Sequence, residues 1–109
     1  MAQTAQFAPV VKLDELPRHG MRAFIVGGRD IVICRTSAGV FAFDNVCTHA
    51  DARLSEGRLR HERLVCPLHG ASFDVRDGRV LAPPAEVPLT AHAVRLAGGV
   101  VEVALLPVP

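Results

Sequence analysis

The chain is a series of short β-type runs that each end at a turn residue, and this pattern decides the fold class. Runs such as "MRAFIV" (21–26) and "IVICR" (31–35) are rich in branched and aromatic residues, with Gly, Asp, Asn or Pro close behind such runs. "GGRD" (27–30) and Gly98-Gly99 are typical of hairpin turns, because glycine accepts a positive φ. No stretch shows long helical periodicity. The sequence therefore predicts an all-β fold.

Further strand candidates lie towards both ends of the chain. A single helical turn is expected in "LDELP", where Pro17 stops it. The remaining strand candidates are "APVVKL" (8–13), "VFAFD" (40–44), "AHAVRL" (91–96) and "VVEVAL" (100–105). Together with the two runs above, these segments predict an antiparallel β sandwich or barrel built from both ends of the chain.

The middle of the chain, about residues 45 to 83, has a different character. It holds two short stretches with Cys and His, many turn residues and two short strand candidates. The first candidate, "GRLRHERLVC" (57–66), is predicted to fold back near His61-Glu62, and the second is "ASFDV" (71–75). We expect this segment to form a small inserted subdomain that carries the chemistry.

A length of 109 residues suits one domain, residues 1–109, with one core. The predicted base of this domain comprises about residues 1–44 and 84–109, and the inserted subdomain about 45–83. No repeat or low-complexity segment interrupts this organisation.

Composition argues against several classes of function. Twelve basic residues against eleven acidic ones give a net charge of +1, and no basic run alternates with aromatics, so nucleic-acid binding is not expected. No apolar stretch approaches the roughly 18 residues of a membrane span, and no secretory signal is visible. Three cysteines do not suggest a disulfide scaffold, so we expect a cytoplasmic protein.

Two Cys/His stretches carry the chemistry: Cys47-x-His49 and, sixteen residues later, Cys66-x-x-His69. Thiolate and neutral imidazole are donors for iron or zinc. Turn residues in each stretch let backbone N–H groups face a metal centre, and the Thr48 hydroxyl is a candidate further donor. One Cys and one His in each loop suits two inequivalent metals. Zinc held by two Cys and two His stays an alternative, although common zinc modules pair Cys with Cys and His with His.

These stretches resemble a known family. "CTHADARLSEG" (47–57) and "CPLHGASFDVRDGRV" (66–80) are similar to the two cluster-binding loops of Rieske [2Fe–2S] proteins, and "LAPPA" (81–85) resembles the proline-containing loop that covers the cluster. The resemblance implies the Rieske fold and one [2Fe–2S] cluster. It assigns one iron to the thiolates of Cys47 and Cys66, and the other iron to ring nitrogens of His49 and His69.

The resemblance also indicates a low reduction potential. High-potential Rieske proteins have an additional disulfide between the loops, whereas the matching positions here are Ala52 and Leu68. They also have Ser and Tyr hydroxyls near the cluster sulfurs, whereas the matching positions here are Ala71 and Phe73. Without those donors the oxidised cluster is favoured. The expected midpoint lies toward roughly −150 mV, the low end of the Rieske range.

A cluster with four protein ligands has no open position for substrate, so we expect an electron carrier with no catalytic residues. The short chain resembles the Rieske-type ferredoxins of bacterial aromatic-ring dioxygenase systems. This implies single-electron transfer from an NAD(P)H-dependent flavoprotein reductase to a terminal oxygenase, with transient contacts to both and a monomeric carrier. Leu68 and the Pro83-Pro84 turn are candidates for an apolar docking rim.

Two other classes of function stay open from the sequence. One is the small Rieske subunit of a larger reductase, such as an assimilatory nitrite reductase. The other is a zinc-stabilised interaction module. The remaining thiol and imidazoles are not expected to bind a metal. Cys34 is expected to be a buried structural thiol, and His61 to be solvated at a hairpin tip. His19 and His92 lack metal-ligand spacing and are expected to be structural or on the surface.

Overall fold

The computed structural model describes residues 6–48, 50–68 and 70–107. In this part of the chain ten strands form, together with two short 3-10 helices, Leu13–Glu15 and Leu54–Glu56. The all-β prediction is therefore confirmed. The strands are β1 Ala8–Lys12, β2 Gly20–Val26, β3 Arg29–Thr36, β4 Gly39–Asp44, β5 Arg58–Arg60, β6 Arg63–Val65, β7 Ser72–Asp74, β8 Val80–Ala82, β9 Ala91–Ala97 and β10 Val100–Ala104.

The larger sheet has six antiparallel strands in the order β1-β10-β9-β4-β3-β2. Its hairpins turn at the predicted glycine pairs: Gly27 and Gly28 have φ of 56° and 79°, and Gly98 and Gly99 have φ of 57° and 77°. The edge strands β1 and β2 also contact each other, so the sheet curls towards a barrel.

The smaller sheet has four antiparallel strands in the order β5-β6-β7-β8. The β5–β6 hairpin turns at the predicted place, where His61 has a φ of 57°. The strands of this sheet fall within residues 58–82, and those of the larger sheet within 8–44 and 91–104. The division into a base and a cluster-binding subdomain at the stated boundaries stays a prediction.

β3 separates two buried hydrophobic clusters. Ile31 and Ile33 pack with Val101 and Val103 inside the larger sheet. The alternate residues Val32 and Cys34 belong to a second cluster with side chains of the smaller sheet and its loops, among them Leu54, Leu64, Phe73, Cys47 and Cys66. Successive side chains of a strand point to opposite faces, so one strand serves both clusters.

Most strand predictions are confirmed, and the differences are local. β3 begins at Arg29, two residues before the predicted start, so the turn comprises Gly27 and Gly28 alone. The sequence did not predict β8, because the segment from residue 81 was assigned to a proline-containing loop, nor the helix Leu54–Glu56. Within the described ranges, no helix has the length and apolar character needed to cross a membrane.

Candidate metal centre

Loop 1, residues 45–57, is held to the larger sheet by Asn45. The Asn45 side chain is buried; its amide donates to Ser55 Oγ at 2.8 Å and its carbonyl accepts from the Ser55 N–H at 2.8 Å. The Asn45 backbone N–H donates to the Asp30 carbonyl at 2.9 Å. Inside the loop, the Cys47 N–H donates to the Ala52 carbonyl at 2.9 Å. These bonds fix both ends of loop 1 and the backbone that carries Cys47.

Loop 2, residues 66–71, joins β6 to β7. The Cys66 N–H donates to the Ala71 carbonyl at 2.8 Å, which closes the loop at its base. The Leu68 N–H donates to the Cys66 sulfur. Gly70 has a φ of 73°, a conformation that costs glycine nothing. The turn thus brings the Leu68 N–H to the Cys66 sulfur, and its orientation towards a metal centre stays a prediction.

The two loops pack directly on each other at Gly57. A Cβ atom at Gly57 would lie 2.0 Å from the Val65 carbonyl oxygen and 3.1 Å from Pro67 Cδ. Glycine is therefore needed here for space. This close contact sets the distance between the loop that carries Cys47 and the loop that carries Cys66.

The predicted thiol ligands meet in the structure. The Cys47 and Cys66 side chains share a hydrogen bond, are 3% and 2% exposed, and are not in a disulfide. The pKa of Cys66 is raised to about 11, chiefly by burial; the Leu68 N–H opposes this shift and the neighbouring Cys47 adds to it. A thiol pair of this kind binds a metal as thiolates and releases protons on binding. Two buried thiols on packed loops fit a single iron of the predicted cluster.

His49 and His69 lie outside the described residues, so their assignment to the second iron stays a prediction. Across residues 6–48, 50–68 and 70–107, no group of three His, Cys, Asp or Glu side chains forms a metal site. Of the four predicted ligands, the described residues include the two cysteines, Cys47 and Cys66.

Apolar side chains surround the thiol pair. Ala71 and Phe73 are fully buried and bring no hydroxyl to this cluster of side chains. Ser72 is buried as well, but it alternates with Phe73 along β7 and faces the other side of the smaller sheet. Ser72 therefore does not replace the hydroxyl missing at Ala71.

The Thr48 hydroxyl has a different role from the predicted one. It donates to the Val87 carbonyl and so joins loop 1 to the segment that follows Pro83-Pro84. The prediction of Thr48 as a further donor to the centre is wrong, because its hydrogen is used in this contact.

The other polar residues singled out are structural, as predicted. Cys34 is fully buried, and burial raises its pKa to about 12, which keeps the thiol neutral. The buried His92 ring has both nitrogens in hydrogen bonds, with Asp44 and with the Leu106 N–H. Nε2 of His19 donates to the His61 carbonyl at 2.9 Å, which joins the turn before β2 to the β5–β6 hairpin.

Asn45 and Gly57 contribute to the site and were not predicted to do so. Gly57 is the last residue of the motif "CTHADARLSEG", so the family resemblance could have indicated its importance. Asn45 follows β4 immediately and resembles an ordinary turn residue. Only the hydrogen bonds to Ser55 and Asp30 distinguish its role.

Comparison with known proteins identifies the family of this chain. The model of the Rieske [2Fe-2S] domain matches residues 6–98. The ferredoxin component of the naphthalene 1,2-dioxygenase system of Pseudomonas aeruginosa is 33% identical over 95 residues, 87% of this chain and 91% of that protein.

Two solved structures share the fold at substantial identity. The ferredoxin of carbazole 1,9a-dioxygenase from Nocardioides aromaticivorans IC177 has a TM-score of 0.88 and 35% identity, over 94% of this chain and all of that one. The ferredoxin in a complex of reduced oxygenase and oxidised ferredoxin in carbazole 1,9a-dioxygenase has a TM-score of 0.84 and 31% identity, over 90% of this chain and 92% of that one. This chain belongs to the Rieske [2Fe–2S] domain family, whose members include these ferredoxins.

Proposed function

We propose that this chain is a soluble one-electron carrier that takes electrons from an NAD(P)H-dependent flavoprotein reductase and passes them to a terminal aromatic-ring dioxygenase. The observation that carries this proposal is the buried Cys47–Cys66 pair on two packed loops. The similarity of this chain to ferredoxins of naphthalene and carbazole dioxygenases supports the same role.

Four residues would hold the cluster: Cys47 and Cys66 one iron, His49 and His69 the other. When bound, the [2Fe–2S] group supplies one-electron oxidation and reduction. The chain itself contributes the apolar surroundings of the thiols and the Leu68 N–H at the Cys66 sulfur. With all four ligands from protein there is no position for a substrate, so we propose an electron-transfer component rather than an enzyme.

The partners follow from the same comparison. A solved complex of an oxygenase with a ferredoxin similar to this chain supports a terminal oxygenase as one partner. A carrier that visits two proteins in turn requires weak, short-lived contacts with small interfaces. We therefore propose a cytoplasmic monomer that binds neither nucleic acid nor membrane.

Reconstitution tests this proposal. The holoprotein is mixed anaerobically with NADH and the reductases of the naphthalene and carbazole dioxygenase systems, and the cluster absorbance is followed. We expect reduction only when a reductase is present, and reoxidation when the matching oxygenase is added. A holoprotein that exchanges no electron with either pair of proteins would contradict the proposed role.

A further inference from the structure

One face of the smaller sheet carries a group of arginines, which we call the arginine face: Arg58, Arg60, Arg63, Arg76 and Arg79. On β5, Arg58 and Arg60 alternate with Leu59, and Leu59 packs against the core. Arg60 lies directly opposite Arg63 on β6. The three strand arginines therefore project from the same outward side of the sheet.

Among the residues that the structure describes, two of these arginines have an acidic partner and three have none. Arg76 and Arg79 contact the buried Asp74 carboxylate at 2.8 Å and 3.4 Å. Arg58, Arg60 and Arg63 are exposed and, within the described residues, form no ion pair and no side-chain hydrogen bond. Like charges opposite each other in a sheet are unfavourable, and nothing in the described part of the chain relieves the Arg60–Arg63 pair.

The arginine face borders an open groove of about 770 Å³ whose lining includes unpartnered polar groups. Ser72 is 2% exposed, and its hydroxyl has no hydrogen-bond partner. Buried hydroxyls are almost always paired, so an orphan indicates a missing acceptor or donor. Both oxygens of Glu62 in the same groove are also buried without a partner.

The charge of this region contrasts with that of the whole chain. Five arginines stand against three carboxylates, Glu62, Asp74 and Asp77, a surplus of two positive charges. The whole chain has a net charge of only +1, so the remainder is net negative. A region of this kind attracts and orients an acidic surface rather than polyanions in general.

The arginine face begins beside the candidate metal centre. Arg58 is paired in register with Val65, the residue before Cys66. Arg63 lies three residues before Cys66, about 10 Å along the strand. Ser72 follows Ala71, whose carbonyl accepts the Cys66 N–H. A protein that binds here would therefore lie next to the loop that carries Cys66.

We infer that the arginine face is a docking surface for an acidic protein that exchanges electrons with the cluster. This inference rests on the proposed function. The three unpaired arginines are spread along two strands, which suits several carboxylates of a protein surface better than one small anion. Those carboxylates would separate the charges of Arg60 and Arg63.

Electron transfer to acceptor proteins of opposite charge tests the inference. Reduced holoprotein is mixed with plastocyanin of the acidic plant type, or with the basic protein cytochrome c, at low and high ionic strength. The variant carries R58Q, R60Q and R63Q. The control carries K12Q, R22Q and R95Q on the larger sheet and so loses the same charge. The visible spectrum verifies an intact cluster in each protein.

We expect the R58Q/R60Q/R63Q variant to reduce plastocyanin about tenfold more slowly at low ionic strength, with little difference at high ionic strength. The control should change less than about twofold. Reduction of cytochrome c should not slow in either variant. Loss of three positive charges near the cluster lowers its reduction potential and makes it a stronger reductant. Slower electron transfer in the variant could therefore not be caused by a smaller driving force.

Equal effects in the two variants, or none, would overturn the inference while leaving the carrier function intact. A dimer of the native protein that dissociates in the R58Q/R60Q/R63Q variant, seen by sedimentation, would assign the face to a second copy of the chain and would also overturn it. A reduced holoprotein that gives electrons to neither acceptor would overturn the proposed function and this inference together.

Discussion

At Gly57 the backbone of loop 1 lies against the Val65 carbonyl at the end of β6 and against the Pro67 ring of loop 2, with no space for a Cβ atom. Gly57→Ala would place a Cβ atom 2.0 Å from the Val65 carbonyl oxygen, so the loop backbones would have to separate. Overpacking costs about 1–3 kcal/mol, and we expect a loss of stability at the upper end of that range. Chemical denaturation followed by circular dichroism measures it.

Gly28→Ala is the matched control for Gly57→Ala. Gly28 has no atom within 4 Å of a built Cβ, and its φ of 79° predicts only the smaller cost of a strained turn. A Gly57→Ala protein as stable as the native one would show that the loops are not packed as described.

Asp74 makes stability depend on acid pH. Hydrogen bonds from the Arg76 side chain lower the pKa of Asp74 to about 2. The unfolded chain has a pKa of about 3.9 at this residue. The stabilisation is therefore complete above that value and is lost as the pH falls through about 2.

Asp74→Asn should be less stable than the native protein by roughly 1–2 kcal/mol at neutral pH, since both arginines are largely exposed and screened. The difference should shrink towards zero near pH 2. Unfolding of both proteins across the acid range measures this difference, and cluster loss in acid affects both equally. A difference that stays constant with pH would contradict the role of the Asp74 carboxylate.

Ala71 tests the low-potential prediction at a single position. Ala71→Ser adds a hydroxyl where high-potential members of the family have one, so we expect the midpoint potential to rise by tens of millivolts. Ser72→Ala is the control, because Ser72 faces the other side of the smaller sheet and should leave the potential unchanged. Redox titration followed by visible spectroscopy gives both values. An unchanged potential in Ala71→Ser would reject the proposed cause.

At the scale of elements, loop 2 presents its apolar residue outwards. Leu68 is 45% exposed, although its backbone N–H is bonded to the Cys66 sulfur. Leu68→Asp should weaken electron transfer to a terminal oxygenase and leave the cluster spectrum intact. Leu96→Asp on β9, where the leucine is 53% exposed, is the matched control. Equal transfer rates in the two variants would remove Leu68 from the docking rim.

The hairpins of this fold are predictable from the sequence, because glycine pairs at turns and the alternation of side chains along a strand are properties of short segments. β8 is not, since its three residues, Val80–Ala82, are too short for a period and precede two prolines. The packing at Gly57 depends on Val65 and Pro67, which meet it only in the folded chain. Residue types and spacing predicted the thiol ligands, whereas the bonds that fix Cys47 arise from tertiary contacts of Asn45.

At the scale of the whole molecule, β3 is buried on both faces. Residues 31–34, which lie in the predicted strand "IVICR", are all 0% exposed. The reason is that the smaller sheet and the cysteine loops cover the outer side of β3. The smaller sheet and the cysteine loops therefore share a hydrophobic core with β3 of the larger sheet, and the two thiols belong to that core.

Electron paramagnetic resonance of the dithionite-reduced protein, with iron and acid-labile sulfide counted on the same sample, tests whether the two loops hold a Rieske cluster. The structure and the family predict a rhombic Rieske-type signal with two irons and two sulfides per chain. A colourless protein without that signal, loaded with zinc, would contradict the assignment of the two loops and the carrier function that depends on it.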